Sequence, residues 1–177
     1  MAIRLRELER LIDGDEYELI DGRIVEKRGG AAVSEITVGL TIRVGQYVRE
    51  RKLGHVFGPK AGYKDCFPGR PDHLLRPSFS FVAEARIPGG KVPRGDFDIA
   101  PDLAAEVITD ESFAEVEDRV ADYRSAGVKL IWLVNPKTKT VLVRRLDRTC
   151  AELDEAGTLD GEDVVPGFAC RVAELFV

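Results

Sequence analysis

One acidic side chain, Glu106, stands inside the apolar run DLAAEVIT at 102–109. A charge buried in a strand is costly unless a partner or an ion meets it. An acid in such a place therefore marks a candidate site, and the first chemistry it suggests is the holding of a metal ion. Arg119 follows thirteen residues later. That spacing spans a strand end, a turn and nearly two helical turns, so it folds the guanidinium back toward the strand and predicts a Glu106–Arg119 contact. Asp102, next to Pro101, reads as a residue that fixes the start of the strand, with a second metal ligand as its alternative. Ser78 reads as a plain strand residue, because no His or Lys neighbour in sequence would activate it as a nucleophile. Asp110 and Glu111 complement the N-terminus of the helix that follows. His55 and His73 are the only histidines, and His73 reads as a surface-loop residue.

The elements that must position these groups are legible from hydrophobic period and turn chemistry. Leu5 to Ile12 has the pattern of a short amphipathic helix. YELI and RIVE alternate as strands about Asp21-Gly22, a strong hairpin signal. From Ala32 to Lys52 the apolar residues Val33, Ile36, Leu40, Val44 and Val48 recur at helical spacing. HVFG and AGYKDCF read as short strands, PGRPDHLLRP as a loop, and SFSFVAE as a strand. Ser112 and Glu115 form a capping box for a helix over 113–126 that Gly127 ends. LIWLV is a wholly apolar strand and VLVRR returns beside it. DEAGTLDGED reads as a polar loop before a short apolar tail, VAELFV. Strand, helix and apolar strand in succession imply a parallel pair, and the hairpins add antiparallel ones. The expected class is α/β with a mixed sheet, in a single domain over 1–177.

Composition narrows the function classes. The chain has 177 residues, 44% hydrophobic, with a formal net charge of -5, and a pI near 5.2. A protein that coats DNA by charge alone would be basic. Three cysteines without CxxC spacing give neither a disulfide framework nor a zinc site. MAIRLRELERLIDGDEYEL lacks the apolar core of a signal peptide, and no run approaches the ~20 residues of a membrane span. The expected location is cytoplasmic.

Five blocks in order, YELIDGRIVE, the long helix ending in RERKLG, RPSFSFVAEARIPGG, APDLAAEV and AEVEDRVADYRSAGVKLIWLVNPKTKTV, resemble the Uma-type putative restriction endonucleases of the PD-(D/E)xK nuclease superfamily. The resemblance covers roughly residues 15–145. It implies a restriction-endonuclease-like mixed sheet flanked by helices, with an N-terminal hairpin and a long helix. It also implies DNA as substrate, magnesium as cofactor, a homodimer, and a defined set of site positions. The family's Asp after Arg-Pro falls on Ser78. Its Glu in the Pro-Asp-x-x-x-Glu-Val block is Glu106. The superfamily lysine position two residues on holds Ile108, and the helix position to which the lysine commonly moves in Uma-type proteins is Arg119. The His that often opens the long helix is Val33, and the Glu of YELIDG is Glu18. Magnesium favours oxygen ligands with one or two carboxylates; Ser78 and Glu106 supply one, with Asp102 as a possible replacement ligand. The implied reading is an intact fold with a degenerate nuclease centre. Its alternatives are an inactive interaction module on the same fold, and a small-molecule or protein-binding domain that reuses the cleft.

Overall fold

The computed structural model describes residues 3–8, 10, 16–27 and 29–176. Its centre is a six-stranded mixed sheet. The order across it runs from β10 (Cys150–Leu153) through β9 (Thr140–Arg145), β8 (Leu130–Asn135), β7 (Leu103–Val107) and β6 (Phe79–Ala83) to β3 (Gly54–Phe57). Only β7 and β8 pair in parallel, with Leu103 opposite Leu130 and Glu106 opposite Leu133; the other pairs are antiparallel. Helix α3 (Phe113–Ser125) makes the crossover between the parallel strands. It starts with the expected capping box: Glu115 N donates to Ser112 Oγ at 3.3 Å and Ser112 N to Glu115 Oε2 at 2.7 Å.

Side-chain alternation sends successive residues of each strand to opposite faces. One face of the sheet (Leu103, Ala105, Leu130, Trp132, Val134) packs under α2 (Ala31–Arg51) through Ile36, Leu40, Val44 and Val48, together with the C-terminal Phe168, Val172 and Leu175. The other face (Ala104, Ile131, Leu133) packs under Val120 and Tyr123 of α3 and under Phe67 and Leu75. Both faces are covered, so β7 and β8 are apolar almost throughout. Glu106 has the parity of Ala104 and faces α3.

A second, antiparallel sheet lies beside α3. It runs β2 (Arg23–Glu26), β1 (Tyr17–Ile20), β5 (Leu74–Leu75), β4 (Tyr63–Lys64). The β1–β2 turn has positive φ at Asp21 (49°) and Gly22 (76°), the backbone that an Asp-Gly hairpin favours.

Several expectations change. Of the helix expected over Leu5 to Ile12, α1 spans Leu5–Leu8, and residues 9, 11 and 12 lie outside the described ones. The segment read as a loop by its prolines contains β5, whose Leu74 and Leu75 are fully buried. Two residues are too few to show period, and burial rather than propensity makes that strand. His73, expected on the surface, is fully buried too, drawn in beside Leu74. The polar stretch after residue 146 carries β10, β11 (Thr158–Asp160) and β12 (Ala169–Arg171), and the apolar tail is a 3-10 turn over Val172–Leu175. LIWLV and VLVRR present no free edge, because β8 and β9 are hydrogen-bonded on both sides inside the sheet. Among the described residues no helix is long and apolar enough to cross a membrane.

Candidate functional site

The two sheets and α3 enclose a cleft of about 530 Å³. Three elements bring its polar floor together. β7 brings Glu106, 6% exposed, and β1 brings Glu18, 1% exposed. The third is α3, which brings Arg119 and, one turn later, Tyr123. Arg119 Nη1 donates to Glu18 Oε1 at 2.8 Å and to Glu106 Oε1 at 3.2 Å, while Nη2 donates to Glu18 Oε2 at 2.7 Å. One guanidinium thus bridges both carboxylates. Tyr123 Oη donates to the same Glu106 oxygen at 2.5 Å. Ser78 donates to Glu106 Oε2 from its backbone N at 3.3 Å and from Oγ at 3.2 Å, and Oγ accepts from Val107 N at 3.3 Å. Ser78 is therefore part of the cluster, although it reads as a plain strand residue in sequence.

Lys27, just past β2, completes the floor. Its Nζ donates to the Arg76 carbonyl and lies 3.9 Å from Glu106 Oε2. Sequence reasoning missed this residue. Its only signal is its place at the end of a hairpin strand whose Glu18 partner strand enters the site. Arg76 sets the backbone before Ser78. Its N donates to Glu18 Oε1 at 2.6 Å, and its guanidinium holds Asp96 at 2.8 and 3.1 Å and the carbonyls of Tyr17 and Lys60.

The electrostatics follow from this packing. Burial pushes the Glu18 carboxyl upward, but the charge and hydrogen bonds of Arg119, with Lys27 and the Arg76 N–H, bring it below its ordinary 4.5. Burial pulls the Arg119 guanidinium down, and Glu106 and Glu18 more than reverse that, so it is held well above its usual value. Burial and the neighbouring Glu106 drive the Tyr123 phenol well above 10. Arg119 and Lys27 thus lie against the two acids from α3 and from the end of β2.

Asp102 is not in this cluster. It lies four residues back along β7, about 13 Å at ~3.3 Å per residue. There its carboxylate accepts from Ala83 N at 2.9 Å and pairs with Arg86 at 3.0 Å and Lys129 at 3.6 Å. It ties the strand start, and the alternative role of replacement metal ligand does not fit that position. At the far rim of the cleft Arg70 clamps Asp21 of the hairpin turn with 2.7 and 2.8 Å bonds and also bonds Asp122 of α3. His73 lies behind them, its Nε2 3.1 Å from Asp122 Oδ2 but not aligned for a hydrogen bond.

A mixed sheet with one parallel pair, a crossover helix aimed at a strand carboxylate and an N-terminal hairpin supplying a second one describe a recognisable architecture. The family model described as Uma2, putative restriction endonuclease, matches residues 5–173. The chain belongs to this family. A solved structure of a putative nuclease belonging to DUF820 from Anabaena variabilis superposes with a TM-score of 0.84 over 98% of this chain and 97% of that one, at 23% identity. That likeness shows the same nuclease-like fold for the Uma2 member described here. No curated protein matches the chain.

Magnesium, the ion such a fold implies, does not fit these residues as they stand. The oxygens that would meet it are already engaged: those of Glu18 and Glu106 hold Arg119, Glu106 Oε2 also faces Lys27, and Ser78 Oγ is bonded to Glu106 and Val107 N. A divalent cation there would be set beside a guanidinium that already bridges both acids, and the two positive groups would repel. Among the described residues no group of three or more His, Cys, Asp or Glu side chains converges to hold a metal.

Proposed function

We propose that this Uma2 protein is a DNA endonuclease of the PD-(D/E)xK type in which metal-dependent phosphodiester hydrolysis is weakened or lost. The observation that carries the reading is the Arg119 bridge between Glu18 and Glu106. Phosphodiester hydrolysis of this type relies on an ion to orient and activate water. Here an arginine side chain sits between the carboxylates that would hold the ion. Arginine stays protonated near neutrality and does not act as a base. Ser78, a neutral hydroxyl at the position where the family pattern has an Asp, takes away a further charged ligand.

A second reading, an interaction protein that keeps the nuclease fold without catalysis, is favoured by the cleft walls. Glu26, Glu111 and Asp118 line the cleft, beyond the Asp21 and Asp122 that Arg70 already pairs. Carboxylates at a cleft mouth repel a phosphate backbone. Under either reading the family resemblance supports a homodimer as the working form.

Isothermal titration with magnesium tests the leading proposal. The wild type should show no saturable binding in the low millimolar range. Ser78→Asp with Arg119→Lys should bind measurably, because the ion then meets an added carboxylate and a flexible point charge in place of the rigid fork. Tight magnesium binding by the wild type would defeat the reading.

A further inference from the structure

Helix α2 covers the sheet face opposite the cleft, and its outward side carries a pattern that the fold does not use. Val38 and Ile42 stand one turn apart and are 52% and 59% exposed. Exposed apolar residues scattered singly need no explanation, but a contiguous pair within a patterned stripe does. Glu35, Val38, Ile42 and Arg49 recur at spacings of three, four and seven residues, the period of a helix seam that packs on another helix. All four are exposed, as is Gln46.

The stripe is complementary to its own reverse. Glu35 and Arg49 stand seven residues on either side of Ile42, and Val38 and Gln46 four on either side. Laying a second α2 antiparallel, with Ile42 on a two-fold axis, sets Glu35 against Arg49 at both ends and Val38 against Gln46 between them. Such isologous pairing is what a two-fold interface requires. Neither Glu35 nor Arg49 has an ion-pair partner among the described residues, whereas Arg43 pairs with Glu174 and Arg51 with Glu50. A helix of 21 residues is about 32 Å long at 1.5 Å per residue. Its single stripe falls short of the ~800 Å² per partner of a standard interface. The groove on its flank, where Thr41, Gly45 and Gln46 meet His55, Val56 and Glu84 of the edge-strand region, supplies further surface.

We propose that a second copy of this chain docks on α2, antiparallel, about a two-fold axis through Ile42. The surface lies on the opposite side of the sheet from Glu106, so its failure would leave the reading of the cleft standing. The reversed charge order, with Glu35 and Arg49 equidistant from Ile42, is what commits the surface to a second copy.

Sedimentation equilibrium and oxidative cross-linking test it on the full chain. The wild type should be a dimer at micromolar concentration. Ile42→Asp should weaken association at least tenfold, about 1.4 kcal/mol, with an unchanged circular dichroism spectrum. Glu35→Arg and Arg49→Glu should each weaken it, and the two together should restore it, because the charges are then exchanged rather than matched. In a Cys150→Ser background, Ile42→Cys should form an intermolecular disulfide and Ser34→Cys should not. A dimer that neither cross-links at 42 nor responds to Ile42→Asp would overturn this surface while leaving dimerisation itself. A monomer at every concentration tested would overturn both.

Discussion

Arg119 grips Glu18 with two parallel hydrogen bonds, of 2.8 and 2.7 Å, across 101 positions of sequence. This forked geometry is the strongest form of a side-chain ion pair. It fastens the N-terminal hairpin to α3 at the floor of the cleft, and its third contact reaches Glu106 on the central sheet. Three layers of the molecule therefore meet at one guanidinium.

Removing that guanidinium leaves two buried carboxylates facing each other. Arg119→Ala should cost about 3–5 kcal/mol of stability, the range for a broken buried pair. Arg119→Lys should recover only part of it, since the ammonium keeps the charge but not the fork. Urea denaturation reads both. A loss under about 1 kcal/mol for Arg119→Ala, typical of solvent-exposed pairs, would contradict the buried bridge.

The depressed Glu18 carboxyl sets an acid limb. A group whose folded-state pKa lies below its unfolded value stabilises the fold fully above the unfolded value, and that contribution is lost as pH falls through the folded one. The loss should therefore begin below about 4.5. Glu18→Gln should flatten that limb of a plot of urea midpoint against pH. An acid limb of the same slope in Glu18→Gln would mean that other carboxylates carry it.

Tyr123 predicts the opposite limb. Its folded-state pKa is raised above the ordinary 10, so the unfolded chain loses that proton first. The stabilisation is complete below pH 10 and declines above it. Tyr123→Phe should remove this alkaline decline, and at neutral pH it should cost about 1.5–3 kcal/mol for the lost bond to a carboxylate. An unchanged alkaline limb in the variant would sink the assignment.

Lys27 and Arg119 neutralise the same pair of carboxylates, so their removal should not be additive. In a double-mutant cycle of Lys27→Met and Arg119→Met the coupling should exceed about 0.5 kcal/mol, the level expected for separated sites. Additive losses would mean that Lys27 serves only the Arg76 carbonyl.

Much of this architecture is legible in the chain, for identifiable reasons. Long periodic segments such as 31–51 and the capped helix from Phe113 declare themselves locally. Glu106 stands out because a charge interrupts an apolar strand, and its contact with Arg119 follows from spacing along one strand–helix unit. Glu18 is different. Nothing near it in sequence shows that it is buried, and only the resemblance of YELIDG to a known pattern singles it out. Its partner is 101 residues away, beyond the reach of any local period. Lys27 and β5 leave no local mark for the same reason: both owe their role to what the fold stacks over them. His73 misleads because its neighbours Pro71 and Asp72 signal a loop, while Phe67 and Asp122 enclose the ring.

Whether Arg119 occupies the place of a metal between Glu18 and Glu106 is read by plasmid cleavage with purified protein and magnesium or manganese. Wild type and Glu106→Ala are compared side by side. Cleavage should be negligible for both, with no difference between them. Robust wild-type cleavage that disappears in Glu106→Ala would contradict that placement, and would show that the arginine bridge opens to admit the ion.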